Sequence, residues 1–145
     1  MIKVTLALLA DFASISQGGK INIMGIFDSL YAEVLPVIIP HMYLVLRFEG
    51  EGGEANKHYN AELQLINEDG AVVISLPGVI MLHHPPSGKY ISRYDHIFPL
   101  FNLQIEKFGN FEFKIFINNE IRGSVPFSIH KMEPPQLPIT DIKEN

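Results

Sequence analysis

Cysteine is absent from this 145-residue chain, and tryptophan is absent with it. Without cysteine there is no disulfide framework, no thiolate metal site and no thiol nucleophile. Charged residues are only 19% of the sequence, against 47% hydrophobic. That balance is far from the polar, charge-rich composition of disordered chains. No run of Lys or Arg occurs that would neutralise several phosphates together, and the formal net charge is −5. Nucleic acid is therefore not an expected partner. Long apolar runs are missing too: Glu33, Pro36 and Pro40 interrupt the most hydrophobic region, so no transmembrane helix is expected and no membrane partner. The segment Val4 to Ala10 after Lys3 is a short apolar stretch of the signal-peptide kind. Asp11 follows it directly, however, and no Ala-x-Ala site is present, which favours a cytoplasmic protein that keeps this segment.

What is present is alternation with period two, in short runs parted by turn residues, the pattern of an all-β protein. Phe111, Phe113, Ile115 and Ile117 alternate with Glu112, Lys114 and Asn118. Leu44, Leu46 and Phe48 alternate with Arg47 and Glu49; Tyr59, Ala61, Leu63 and Leu65 alternate with Asn60, Glu62 and Gln64. Each reads as a strand with one wet face. Gly18-Gly19, Asp69-Gly70 and Asn118-Asn119 supply residues that tolerate positive φ, as hairpin turns between twisted strands require. They would join the N-terminal strand, about Ile2–Ala10 with Phe12–Ser16 before the turn, to Lys20–Phe27, His58–Asn67 to Ala71–Leu82, and the Phe111 strand to Ile121–His130. A further strand within Tyr90–Ile105 is expected to break or bulge near Pro99, since proline cannot donate to a ladder. At most one short helix fits, over Asp28–Val34, with Pro36 as its stop; a continuation of the preceding strand is the competing reading. The sum is an antiparallel β-sandwich of about eight strands over residues 1–131, followed by an extended proline-containing tail over 132–145. At this length such a domain buries roughly 70% of the surface its unfolded chain exposes.

Two stretches carry a resemblance. One is Lys3-Val4-Thr5-Leu6-Ala7-Leu8-Leu9-Ala10-Asp11-Phe12-Ala13 followed by Gly19-Lys20-Ile21-Asn22-Ile23-Met24-Gly25-Ile26-Phe27-Asp28. The other runs from Phe108-Gly109-Asn110-Phe111-Glu112-Phe113 through Gly123-Ser124-Val125-Pro126-Phe127. Together they resemble an uncharacterised bacterial family of small β proteins known as a domain of unknown function. The likeness spans most of the chain and is less distinct from Glu51 to Tyr94. The ending, a glycine before an aromatic strand and then a hairpin, is similar to the last two strands of many immunoglobulin-like domains. The resemblance implies a fold and brings no catalytic or binding residues with it.

Several constellations invite chemistry. His83-His84 stand beside Pro85-Pro86, but neighbours on a strand face opposite ways and no third ligand has a recognisable spacing. A solvated loop is the stronger reading than a metal site, and no metal or cofactor is expected. Tyr94-Asp95-His96, with Ser92 or Ser87 nearby, suggests a triad until the pleat is considered, which sends Asp95 and His96 apart. No Gly-x-Ser-x-Gly elbow occurs. Gly50-Glu51-Gly52-Gly53-Glu54 is glycine-rich, yet it carries carboxylates where a phosphate cradle needs a lysine and a following helix. Glu49, Glu51 and Glu54 do not form an ordered calcium loop.

Aromatic and apolar residues outside the regular alternation carry more weight. Phe116 interrupts a polar face, and Tyr90, Tyr94, Phe98 and Phe101 crowd a region of poor alternation. Such residues mark either a contact surface or a strand buried on both faces. In the tail, Leu137, Ile139 and Ile142 are expected to pack on their own domain or on a neighbouring subunit. Reading Pro135–Pro138 as an SH3-type ligand rests on too little pattern. The leading expectation is a non-catalytic module that binds protein, its own copy included, through strand edges, exposed aromatics and the tail. The alternative is a small-ligand or carbohydrate-binding sandwich whose site lies in the loops His83–Tyr90 and Gly50–Lys57.

Overall fold

The computed structural model of the chain describes residues 1–85 and 87–133. Nine strands follow in order: β1 (Lys3–Ile15), β2 (Ile21–Phe27), β3 (Ser29–Ala32), β4 (Val37–Glu51), β5 (His58–Asn67), β6 (Val72–Met81), β7 (Ile91–Ile105), β8 (Gly109–Ile117) and β9 (Glu120–Lys131). A 3₁₀ turn, Gly52–Glu54, lies between β4 and β5. Two sheets result, a four-stranded one ordered β2-β1-β4-β7 and a five-stranded one ordered β3-β9-β8-β5-β6. Among the described residues no helix is long and apolar enough to cross a membrane.

The alternating runs behave as their pattern demands. Phe111, Phe113, Ile115 and Ile117 of β8 are buried, as are Leu63 and Leu65 of β5 and Val125, Phe127 and Ile129 of β9. Leu44, Leu46 and Phe48 of β4 meet them from the other sheet, forming one core. Phe127 stacks on both Phe111 and Phe113, with ring centroids 5.4 and 5.5 Å away. At one point the sheets come close enough to require a missing side chain. A Cβ on Gly123 of β9 would lie 3.1–3.4 Å from three carbons of Val4 on β1.

All three hairpin turns form where the turn residues stand. Gly18 and Gly19 have φ of 97° and 82°, and Asn118 and Asn119 have 48° and 66°. In the β5–β6 turn the Asn67 Oδ1 accepts from the backbone N–H of Asp69 and Ala71 at 3.1 and 2.9 Å.

Three expectations change. Asp28–Val34 holds no helix; Ser29–Ala32 instead forms β3, parallel to β9 and in the other sheet from β2. The exposed ladder of β9 is the reason: Ser128 N–H donates to the Asp28 carbonyl at 2.9 Å and Met132 N–H to the Ala32 carbonyl at 2.8 Å, and strand pairing satisfies more backbone groups than one short helical turn. This adds the ninth strand and makes one pair parallel in an otherwise antiparallel fold. Nor does β7 break at Pro99. It runs unbroken from Ile91 to Ile105 in one register with β4, because β7 is an edge strand with one side free of a ladder. The local irregularity lies at Asn102, whose φ is 54°. Finally, the N-terminal strand is continuous to Ile15. Its first half pairs with β4, its second half with β2, and Leu9 and Ala10 pair with both.

Prolines within strands obey the same logic. Pro40 lies where β1 has already left β4, Pro126 lies before β3 begins to pair with β9, and Pro77 sits on the edge strand β6.

Candidate functional site

In an antiparallel sandwich the outward side of a sheet normally carries polar residues. The four-stranded sheet does not follow this. Direct partners share a face, so the pairings Ala10↔Tyr43, Phe12↔Met24, Ala10↔Ile26, Tyr43↔Pro99 and His41↔Phe101 place these residues together on its outer side. Phe12 meets Tyr43 edge to face at 5.4 Å, and Tyr43 meets Phe101 the same way at 6.3 Å. Much of this cluster is open to solvent: Met24 is 66% exposed, Ile26 65%, Phe101 62% and Phe12 47%. Charge gathers at the opposite end of the same face, and there it is paired. Arg47 Nε donates to Asp95 Oδ1 at 2.7 Å and Arg47 Nη2 to Asp95 Oδ2 at 3.2 Å; Arg93 bridges Glu49 at 2.9 Å. The result is an apolar surface bounded by β2, an edge whose outer ladder has no strand against it among the described residues.

The inner side of β7 builds a second feature. Phe98, His96 and Tyr94 pair with Leu44, Leu46 and Phe48 and so point between the sheets. Here, among the described residues, β7 and β6 are the unpaired edges of their respective sheets, and the sandwich stays open between them. A cavity of about 120 Å³ lies there, walled by Leu46, Phe48, Tyr94, His96 and Phe98 on one side and by Ala61 with Leu76–Ile80 on the other. Tyr94 Oη lies 3.1 Å from His96 Nδ1, and the His96 ring packs against Phe98 with centroids 4.1 Å apart. Burial pushes the pKa of His96 below its ordinary value, because a cationic ring is poorly solvated in such a setting. The Glu62 carboxylate is turned the other way, accepting from Gln64 Nε2 at 2.8 Å and Ser75 Oγ at 2.6 Å.

The residues singled out in the sequence are dispersed. His83, His84 and Tyr90 are exposed in the β6–β7 connection, beside an open depression of about 620 Å³ shared with Lys89 and Arg93. Tyr94 joins the inner cavity, and His83 does not line it, though its ring lies 6.3 Å from that of Tyr94. Phe116 is half-buried on the outer side of the five-stranded sheet, opposite Glu62. Leu137, Ile139 and Ile142 lie outside the described residues. Among the described residues no three His, Asp or Glu side chains gather as a metal site would need.

The pleat separates the triad-like residues as expected: Asp95 faces outward to Arg47 while His96 faces inward. Ser92 is fully buried on the same side as His96, and its Oγ has no hydrogen-bond partner. It stands four residues along the strand, about 13 Å away, too far for a nucleophile–base pair.

Sequence reasoning overlooked Phe12, Met24, Ile26 and Tyr43. Their signal was the run Leu6-Ala7-Leu8-Leu9-Ala10, apolar at both parities, which in an antiparallel strand means that both faces are dry. His96 was considered only as a catalytic base and not as the polar group of an apolar cavity.

Residues 5–130 match the model of a family of unknown function, DUF6941, and the chain belongs to that family. No curated protein matches the sequence. Among solved structures, the chain is similar to the Pseudomonas fluorescens alkylpurine DNA glycosylase AlkC bound to DNA containing an abasic-site analogue. The TM-score is 0.49 and the identity 11%, over 88% of this chain and 30% of that one.

Proposed function

We propose that this member of the DUF6941 family is a non-catalytic, cytoplasmic protein-interaction module that pairs with a second copy of itself through the outer face of the four-stranded sheet. The observation that carries the reading is the cluster of Phe12, Met24, Ile26, Tyr43 and Phe101 on a face that solvent would ordinarily line with polar residues. Contiguous apolar surface rimmed by polar groups is the usual mark of a contact site. A second copy suits it better than an unlike partner on grounds of charge. An isologous interface brings identical patches together, so unpaired charge would repel itself; here Arg47, Asp95, Arg93 and Glu49 are already matched within the chain. The frame suits an immunoglobulin-like domain, with β9, β8, β5 and β6 in one sheet and β3 laid parallel to the last strand. A cytoplasmic setting accords with the lack of cysteine.

Because the chain has no cysteine of its own, single-cysteine variants test the surface directly. Ile26→Cys, on the apolar face, should cross-link two chains through a short bis-maleimide. Lys114→Cys, on the polar side of the other sheet, should not. Equal cross-linking of the two variants, or none with either, would overturn the assignment.

A further inference from the structure

The cavity between β6 and β7 exists because two small residues stand side by side on one of its walls. Gly78 of β6 is the direct partner of Ala61 on β5, and Ala61 shares the inward side of β5 with Leu63 and Leu65. A Cβ placed on Gly78 would meet nothing within 4 Å, so the space there is unfilled by any neighbour. Gly78 is itself exposed on the edge strand, so the slot opens to solvent on this side. Opposite this gap stand the aromatic side chains of Phe48, Tyr94, His96 and Phe98, which offer ring faces and edges for stacking. The Tyr94–His96 pair supplies side-chain polarity to a slot otherwise apolar apart from Glu62, whose carboxylate is held by Gln64 and Ser75. The hydrogen bond to Tyr94 Oη uses His96 Nδ1, which leaves Nε2 as the ring nitrogen for a ligand.

We propose that this slot binds a small hydroxylated aromatic ring, held by stacking within the slot and by a hydrogen bond between its hydroxyl and His96. Size sets the ligand class. The slot's volume of about 120 Å³ compares with the cavity of about 150 Å³ that accommodates benzene in an engineered protein core. That volume matches a single ring. Polarity sets the substituent: a hydroxyl both donates and accepts, so it suits either tautomer of a neutral imidazole. Access runs between the edges of β6 and β7, which belong to different sheets and do not pair with each other. The slot lies on the inner side of β7, away from the apolar outer face, so this inference stands independently of the self-association proposed above.

Phenol is the probe, with toluene as the same-sized ring lacking the hydroxyl. Titration followed by the chemical shifts of the β6 and β7 amides should show saturable phenol binding with a Kd on the order of 1 mM, as suits so small a ligand. Gly78→Leu fills the slot from a position with open space, and it should abolish binding of both probes while leaving the circular dichroism spectrum unchanged. Ala61→Leu fills it from the neighbouring strand of the same wall and keeps the test decisive if the first variant does not fold. His96→Leu should weaken phenol about tenfold, the value of one hydrogen bond to a buried partner, and leave toluene within about twofold. Phenol binding that survives both filling variants would overturn the proposal. So would a His96→Leu variant that weakens both probes equally or neither, or a wild-type protein that does not bind phenol.

Discussion

Phe12 and Tyr43 meet edge to face, with ring centroids 5.4 Å apart, on the side of the four-stranded sheet that faces away from the core. Phe101 extends the row from the neighbouring strand, 6.3 Å from Tyr43. Stability of the single chain does not require this row to be dry, since 62% of Phe101 is open to water. Phe101→Lys should therefore change unfolding free energy by no more than about 0.5 kcal/mol, the usual range for an exposed position. Self-association should weaken by about 2 kcal/mol or more, as for an aromatic anchor at the centre of an interface. Urea denaturation and dilution isotherms measure the two effects separately.

Gly123 permits the close approach of β9 to Val4. An alanine there places its Cβ against three carbons of a branched side chain on a paired strand, and a valine adds two methyl groups to the same space. Gly123→Val should cost about 1–3 kcal/mol, as overpacking of a filled core does, with Gly123→Ala costing less. Equilibrium urea unfolding of the two variants gives the ordering.

The β8–β9 turn places Asn118 and Asn119 both at positive φ, and Asn118 also braces the neighbouring strand. Its Oδ1 accepts from Asn60 N–H at 3.1 Å, and its own N–H donates to the Asn60 carbonyl at 2.8 Å. Asn118→Ala keeps the backbone bond but loses the side-chain one and carries a Cβ into the left-handed region without asparagine's local compensation. A loss of about 1–3 kcal/mol is expected. Asn119→Gly should be neutral or stabilising by up to about 1 kcal/mol. Thermal melts of both variants test the contrast.

His96 couples the inner slot to pH. Burial lowers its folded-state pKa, whereas in the unfolded chain it titrates near the free value of about 6.5. Between those two values the unfolded state binds more protons than the folded one, so stability rises with pH across that window. Above about 6.5 both states are neutral at this site and the dependence vanishes; below it, folding is progressively penalised. The groups around the ring are Tyr94 on the same strand, His83 beyond Tyr94 and Glu62, whose carboxylate is bonded elsewhere. One proton limits the slope to about 1.4 kcal/mol per pH unit. Subtracting the urea-derived stability of His96→Leu from that of wild type at pH 7 and pH 5 isolates this contribution, because the remaining histidines titrate in both proteins. A wild-type advantage that shrinks on acidification is the expected sign.

Much of the fold was legible because one side of most strands is wet. The alternation at Phe111–Ile117 and at Tyr59–Leu65 marks the buried side of each strand without reference to any neighbour, and the glycine and asparagine pairs mark the turns through their backbone tolerance alone. Ser29–Ala32 was illegible for the converse reason. Four residues carry no period, and their strand state comes from the open ladder of β9, about 100 residues further along the chain. The candidate surfaces were hidden in the same manner. Phe12, Tyr43 and Phe101 come from three strands, and only the register of β1, β4 and β7 brings them to one face. Ala61 and Gly78 look like unremarkable small residues until their pairing leaves the slot that His96 faces.

Sedimentation equilibrium of the wild-type chain beside the Phe12→Lys/Phe101→Lys double variant, over a range of concentrations, tests the self-association most directly. Wild type is expected to have the mass of two chains, dissociating on dilution, and the folded double variant the mass of one chain throughout. A wild-type protein that stays a single chain at every concentration, or a double variant that dimerises as strongly as wild type, would contradict the assignment of this face.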